Sequence, residues 1–342
     1  MKLGFGLITC QRYPGDPRSD AELYSEALDL AVLAERVGFD SVWVSEHHFV
    51  DDAYLPSLLP VCAAMAARTE HIEVGTALLL APLYEPLRLA EDAAVVDLIS
   101  GGRLVLGLGL GWRGEEFEGL RVPLGERVAR LEDTVLVLRQ AWAGELVKGG
   151  TRLRYAGVPV TPAPARPGGP PLWIGGLSEP AIRRAGRIGD GFMATDVTPA
   201  SLAEQVRWAR EERTRAGEDP DGLSIGLHLS TFPFVGDADE AWERVGAYHH
   251  YVAWKYEDME GARSRTGPAT APPPLSDEQE RGLREGIVLG PPEQVAERIR
   301  ALADAAGGDL HYIARLYWPG MDPGLQRETV RLFGEAVAPL LR

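Results

Sequence analysis

Eight times along this 342-residue chain a short apolar run is followed by a segment with helical spacing, and that alternation limits the fold more than any other feature. The runs are LGFGLI (3–8), SVWVS (41–45), IEVGTALLL (72–80), RLVLGLGLG (103–111), PLWIGG (171–176), GFMAT (191–195), LSIGLHLSTF (223–232) and DLHYIARLYW (309–318). Short, mostly apolar runs of this kind belong to strands buried on both faces, as in a parallel sheet covered by helices. The segments between them carry helix signals. In SDAELYSEALDLAVLAERVGFD, residues Leu23, Ala27, Leu30, Ala34 and Val37 recur on one face, Ser19 and Glu22 form a capping-box pattern, and Gly38 marks the stop. Thr198 caps a later helix, with Pro199 at its first position and Gly217 at its end.

Eight strand–helix units in a chain of this length predict a (β/α)8 barrel, a TIM barrel forming one domain over 1–342. The rival, an open doubly wound sheet, usually carries a glycine-rich dinucleotide turn after its first strand. Here the first strand runs into TCQRYPGDPR, which is no such turn. Two stretches interrupt the alternation. Residues 145–170, rich in Gly and Pro, form an excursion after strand four. Residues 256–286, polar and Pro-rich, read as a mobile insertion before strand eight and a candidate lid.

A formal charge of −15 works against contact with nucleic-acid backbones and anionic membranes. No run approaches the roughly 18 apolar residues of a membrane span, and the start, MKLGFGLITC, lacks the pattern of a secretory signal. A cytoplasmic protein is expected, with no nucleic-acid or membrane partner. Cys10 and Cys62 offer neither a disulfide framework nor a CxxC metal spacing.

In such a barrel the chemistry sits at the C-terminal ends of the strands. Strand two ends on Glu46, His47 and His48. Adjacent histidines on an extended chain point to opposite sides, and no HxH or HExxH spacing accompanies them, so no metal is expected. The competing reading of His47 is a structural histidine bonded to a neighbouring loop. Strand five ends on Gly175 and Gly176, and Ser178 opens a helix whose free N–H groups and hydroxyl suit a phosphate; a plain N-cap is the alternative. Gly75, Thr76 and Ala77 end strand three with small side chains, which leave room for a planar ring or serve packing alone. Glycines 107, 109 and 111 imply close approach to backbone. His228 stands near the end of strand seven, and Arg315, Tyr317 and Trp318 near the end of strand eight. His249 and His250 lie within a helix as surface or packing residues.

Taken in order, GFDSVWVSEHHF, IEVGTALLLAPLYEPLRLAEDAAVVDLISGGRLVLGLGLGW, PLWIGGLSEPAIRRAGRIGDGF and GPPEQVAERI strongly resemble the bacterial luciferase-like superfamily of flavin- and deazaflavin-dependent oxidoreductases. The resemblance spans nearly the whole chain. It implies a reduced flavin over the barrel mouth, with its phosphate at Gly175, Gly176, Leu177 and Ser178. Thr76 and Ala77 would flank the ring, near a non-proline cis peptide that the family often has and that costs about 3–4 kcal/mol. Gly109, Leu110 and Trp112 would follow the cofactor at strand four, and Thr195 would meet it at the end of strand six. The first histidine of EHHF, here His47, is the catalytic acid–base residue by this resemblance, with Glu46 or His48 orienting its ring.

Many deazaflavin members have Asp-His where this chain has Glu46-His47-His48, which resembles the FMN monooxygenases better; the Gly-Gly-x-Ser loop occurs on both sides. The function implied is a two-component monooxygenase. A separate flavin reductase would supply reduced FMN, and O2 and a small organic substrate would be consumed. A deazaflavin-dependent hydride-transferring oxidoreductase and a non-catalytic flavin-binding relative are the alternatives. A mouth lined by Trp318, Tyr317, Phe49 and Phe5 would favour an apolar or aromatic substrate. Relatives are commonly dimers, so a homodimer is expected.

Overall fold

The computed structural model describes residues 1–261 and 271–342; the centre of the 256–286 insertion, residues 262–270, lies outside the described residues. Eight strands, β1 (Lys2–Ile8), β2 (Ser41–Val44), β3 (Glu73–Thr76), β4 (Leu104–Gly109), β5 (Leu172–Gly175), β6 (Gly191–Thr195), β7 (Ser224–Pro233) and β8 (Leu310–Arg315), pair in parallel in chain order. β8 pairs in turn with β1, Lys2 opposite His311 and Gly6 opposite Arg315, so the sheet closes into a TIM barrel. Helices α1 (Asp20–Arg36), α2 (Leu58–Arg68), α3 (Pro86–Ser100), α4 (Arg127–Trp142), α5 (Glu179–Ile188), α6 (Pro199–Arg215), α7 (Ala238–Gly261), α8 (Asp277–Gly286), α9 (Pro292–Ala306) and α10 (Pro323–Leu332) accompany it. The capping signals act as written: Ser19 and Glu22 exchange both capping-box bonds, and Gly38 follows α1 at φ +91°.

Alternation along each strand divides two cores. Outward residues such as Phe5, Val42, Val44, Leu106 and Ile174 pack with helix residues such as Ala27, Leu30 and Leu89. Inward residues Leu7, Trp43, Val105, Trp173, Met193 and Ile313 fill the barrel. Two tryptophans fit inside because neighbouring strands carry glycine. A Cβ on Gly75 would fall 2.3 Å from the Trp43 ring, and one on Gly226 would fall 2.4 Å from Trp173. Trp43 Nε1 donates to Ser41 Oγ at 2.7 Å, and Ser41 Oγ lies 2.6 Å from His311 Nε2. Burial pushes His311 down to about 3, so it stands neutral and its Nε2 accepts a hydrogen bond from the serine hydroxyl.

Two expectations need correction. The apolar run 72–80 is not one strand. β3 stops at Thr76, the Ala77–Leu78 peptide is cis, and Leu79–Leu80 rejoin the sheet against β4. Gly6–Leu7 is also cis. The room above Gly107, Gly109 and Gly175 is taken in part by Leu78, whose Cδ1 would lie 2.1 Å from a Cβ on Gly175. Strand eight ends at Arg315, which leaves Tyr317 and Trp318 beyond the sheet.

The excursion after α4 contains a two-stranded hairpin, Val147–Gly149 with Arg154–Val158. Its turn wraps the Asp133 carboxylate, which accepts from the backbone N–H of Thr151, Arg152 and Leu153 at 2.9, 2.6 and 2.8 Å. Burial works against that charge, but the three donors outweigh it and hold Asp133 below the usual carboxylate range. Among the described residues no helix is long and apolar enough to cross a membrane.

Candidate active site

The chain leaves β2 extended, so Glu46 and His48 share one side and His47 takes the other. Two separate polar networks result. His47 Nδ1 lies 2.8 Å from Glu116 Oε1, and the same oxygen accepts the His48 backbone N–H at 2.9 Å. Glu116 is fully buried and comes from the short helix Gly114–Gly119, just past the end of β4. On the other side, His48 Nε2 lies 2.6 Å from Glu46 Oε1, which also accepts from the Tyr84 hydroxyl at 3.1 Å. Glu46 Oε2 accepts from the Leu80 backbone N–H at 3.0 Å. Burial opposes a charge on His48, but the bond to Glu46 and the nearby carboxylates outweigh it and raise its pKa above the ordinary imidazole value. The expectation that Glu46 or the His48 ring orients His47 is therefore corrected: Glu116 bonds that ring, and Glu46 ties His48 to the chain after β3.

A carboxylate at Nδ1 fixes the proton there and leaves the Nε2 lone pair outward. Among the described residues nothing hydrogen-bonds His47 Nε2. Aromatic rings enclose the imidazole: Tyr54, Tyr256 and Trp112 have centroids 4.8, 5.5 and 5.8 Å from it. The Tyr54 hydroxyl donates to Ser45 Oγ at 3.1 Å and stands 3.1 Å from the Tyr256 hydroxyl. His47 is buried, and only Trp112 of this group is openly exposed.

Thr195 and Arg315 end β6 and β8 facing inward; His228, expected near the end of strand seven, is an inward residue midway along β7 and pairs with Thr195. Thr195 Oγ1 lies 3.3 Å from His228 Nδ1. His228 keeps some surface in the mouth yet is enclosed by the barrel wall. That enclosure, with Arg315 nearby, pushes it down to about 3, so it is neutral.

The other expected positions sort as follows. Ser178 has N-cap backbone geometry ahead of α5, but its hydroxyl caps nothing. Leu177 beside it is 70 % exposed. Gly176 is needed for packing as well, since a Cβ there would fall 2.5 Å from Ala181 Cβ. Thr76 Oγ1 turns away and donates to the Gly107 carbonyl at 2.8 Å, tying β3 to β4. Ala77 donates its N–H to Val44 O at 2.7 Å. Gly109 lies under Leu78, and Leu110 packs half-buried against the outer core. Phe5 and Tyr317 do not line the mouth: Phe5 is on the outward face of β1 beside Phe39, and Tyr317 is buried in the same outer core. Trp318 packs with Phe232 and Trp242 in a satellite core, and His249 packs edge-on to it. Phe49 is half exposed. Among the described residues no three His, Cys, Asp or Glu side chains are grouped to hold a metal.

Glu116, Tyr54 and Tyr256 were not read from the sequence. Glu116 had a signal, an acid placed just after a glycine-rich strand end at the mouth. Tyr256 had none, because only the path of α7 brings it to His47.

A closed parallel barrel with a buried histidine–carboxylate pair past the C-terminal ends of β2 and β4 defines a TIM barrel with its candidate site at the mouth. The chain belongs to the luciferase-like monooxygenase family, whose profile matches residues 1–309. It is 32 % identical over 336 residues to the F420-dependent glucose-6-phosphate dehydrogenase of Nakamurella multipartita, covering 93 % of each chain. It is 26 % identical over 322 residues to the oxygenase component of the flavin-dependent trigonelline monooxygenase of Acinetobacter baylyi, covering 89 % of this chain and 87 % of that one. Among solved structures, the monooxygenase RslO1 of Streptomyces bottropensis superposes with a TM-score of 0.86 at 25 % identity over 99 % of both chains. The relatives are oxidoreductases and monooxygenases that use F420 or a flavin, which supports an enzymatic role for this chain.

Proposed function

We propose that this protein is the oxygenase component of a two-component monooxygenase, using reduced FMN from a separate flavin reductase and O2 to oxidise a small organic substrate. The observation that carries the reading is the buried His47, fixed through Nδ1 by Glu116 and walled by three aromatic rings. The residues present fit a flavin. Ser178, whose hydroxyl is unused by its own helix, and the glycines before it would hold the phosphate. Ala77, Leu78, Gly109, Leu110, Trp112 and Thr195 would border the ring. When bound, reduced FMN supplies the oxygen activation that the side chains lack.

His47 Nε2 takes or returns a proton at the substrate. Glu116 holds the tautomer and stabilises the imidazolium that forms. Tyr54, Tyr256 and Trp112 keep water from the reacting atoms. Glu46 and His48 position the chain between β2 and Leu80 and touch no reacting atom.

A second reading, hydride transfer to F420, a deazaflavin, is favoured by the 32 % identity to the Nakamurella multipartita enzyme. There His47 would take the proton of a substrate hydroxyl. Anaerobic titration with reduced FMN and with reduced F420, followed by oxygen uptake, separates the two. The monooxygenase reading expects tight binding of reduced FMN and loss of substrate oxidation in His47→Ala. Binding of F420 alone, or full turnover in His47→Ala, would overturn it.

A further inference from the structure

Arg315 is the last residue of β8 and continues the inward line of His311 and Ile313. It is 8 % exposed, and its Nε is buried with no hydrogen-bond partner. Among the described residues no carboxylate pairs with its guanidinium. So enclosed a guanidinium without a carboxylate partner is uncommon, because removal from water is costly unless a charge and hydrogen bonds replace the lost solvation. The guanidinium carbon lies 5.8 Å from the centroid of the Tyr256 ring, and that centroid lies 5.5 Å from the His47 ring. The unsatisfied cation is therefore one aromatic ring away from the imidazole.

We propose that Arg315 anchors a carboxylate carried by the substrate, which sets the substrate's reactive carbon against His47. The inference rests on reading the mouth as the substrate end of a flavin-dependent oxidoreductase, and it adds the substrate class. A planar guanidinium offers two parallel N–H donors to a carboxylate. A monoanion fits better than a phosphate dianion. His228, His249 and Tyr54, whose titrations feel the charge of Arg315, are all held neutral, so none of the three carries a charge that would oppose or add to that of the guanidinium. Tyr54 and Tyr256 add apolar ring faces, which favour a carboxylate on an aromatic or similarly flat body.

The test uses benzoate, its neutral isostere benzamide and inorganic phosphate as probes. Each is titrated calorimetrically into wild type, Arg315→Lys and Arg315→Met, with and without bound reduced flavin. Benzoate is expected to bind wild type about tenfold or more tightly than it binds Arg315→Met, the scale of a charged hydrogen bond. Arg315→Lys should fall between them, and benzamide should not distinguish the three proteins. Reduced-flavin affinity should be the same in all three. Equal binding of benzoate and benzamide, no benzoate binding to wild type, preference for phosphate, or a parallel loss of reduced-flavin affinity in Arg315→Met would each overturn the assignment. Arg315-dependent benzoate binding by a protein that takes neither flavin nor deazaflavin would instead leave the anion site standing and remove the cofactor reading.

Discussion

Glu116 Oε1 lies 2.8 Å from the His47 ring nitrogen Nδ1 and 2.9 Å from the His48 backbone nitrogen, so one buried oxygen fixes both the tautomer and the chain that carries it. The oxygen's partner on the same carboxylate, Oε2, is buried without a bond. Among the described residues no other hydrogen bond reaches the imidazole.

Glu116→Gln tests this relationship with little change of volume. An amide can present its NH2 to the ring and favour the wrong tautomer, which turns the mouth-facing nitrogen into a donor. The expected result is a fall in kcat of about 10²-fold, within the range that positioned proton transfer contributes, with reduced-FMN affinity unchanged. Steady-state kinetics beside an anaerobic flavin titration checks it. A change confined to KM would argue against a role in the chemistry.

Lys255 is 2 % exposed on α7 and pairs with Asp51, and with Asp258 at 3.2 Å. The pair pins α7, with Tyr256 next in sequence, to the loop after β2. Lys255→Met leaves the enclosed Asp51 carboxylate without this cation and should lower the unfolding free energy by about 3–5 kcal/mol. The double variant Asp51→Asn/Lys255→Met should recover part of that loss in urea melts. Equal melts for wild type and Lys255→Met would show that the pair does not anchor the helix.

The barrel was legible because its signals are local: apolar runs, capping boxes and stop glycines each act over a few residues. The strand-two cluster was legible for the same reason, as a titratable triplet at a strand end. Its wiring was not. Alternation should have put Glu46 with His48 and left His47 for another partner, but Glu116 stands 69 residues away and meets His47 only because β2 and β4 flank β3. The misplaced lining has a related cause. Phe5 sits between Gly4 and Gly6, the inward residues of β1 that face Trp43, so alternation turns its ring outward.

Gly75 gives a prediction for the interior. A methyl there would enter the Trp43 ring, 2.3 Å from Cε3, and the ring is hemmed by Trp173 with centroids 5.3 Å apart. Gly75→Ala should destabilise by about 1–3 kcal/mol, the usual range for overpacking a filled core. Gly114→Ala, where a Cβ meets nothing within 4 Å, is the matched control and should be near neutral. Thermal and urea denaturation of both variants decides it. A neutral Gly75→Ala would mean that Trp43 has room to move.

The Glu46–His48 pair predicts a pH dependence of stability with a definite sign. The pKa of His48 is raised in the folded protein, so folding favours its protonated form. Its contribution is fully present below the unfolded value, about 6.5, and is lost as pH rises through the higher folded value. The stability advantage of wild type over His48→Gln should thus be greatest near pH 6 and should shrink steadily toward pH 9. Taking the difference between the two proteins cancels the other titrating groups. Glu46→Gln removes the charge that raises the pKa, so it should flatten the same curve. Urea unfolding of the three proteins across that range is the measurement. A wild-type advantage that grows with pH would mean His48 is held neutral by its burial, with Glu46 bonding a neutral ring.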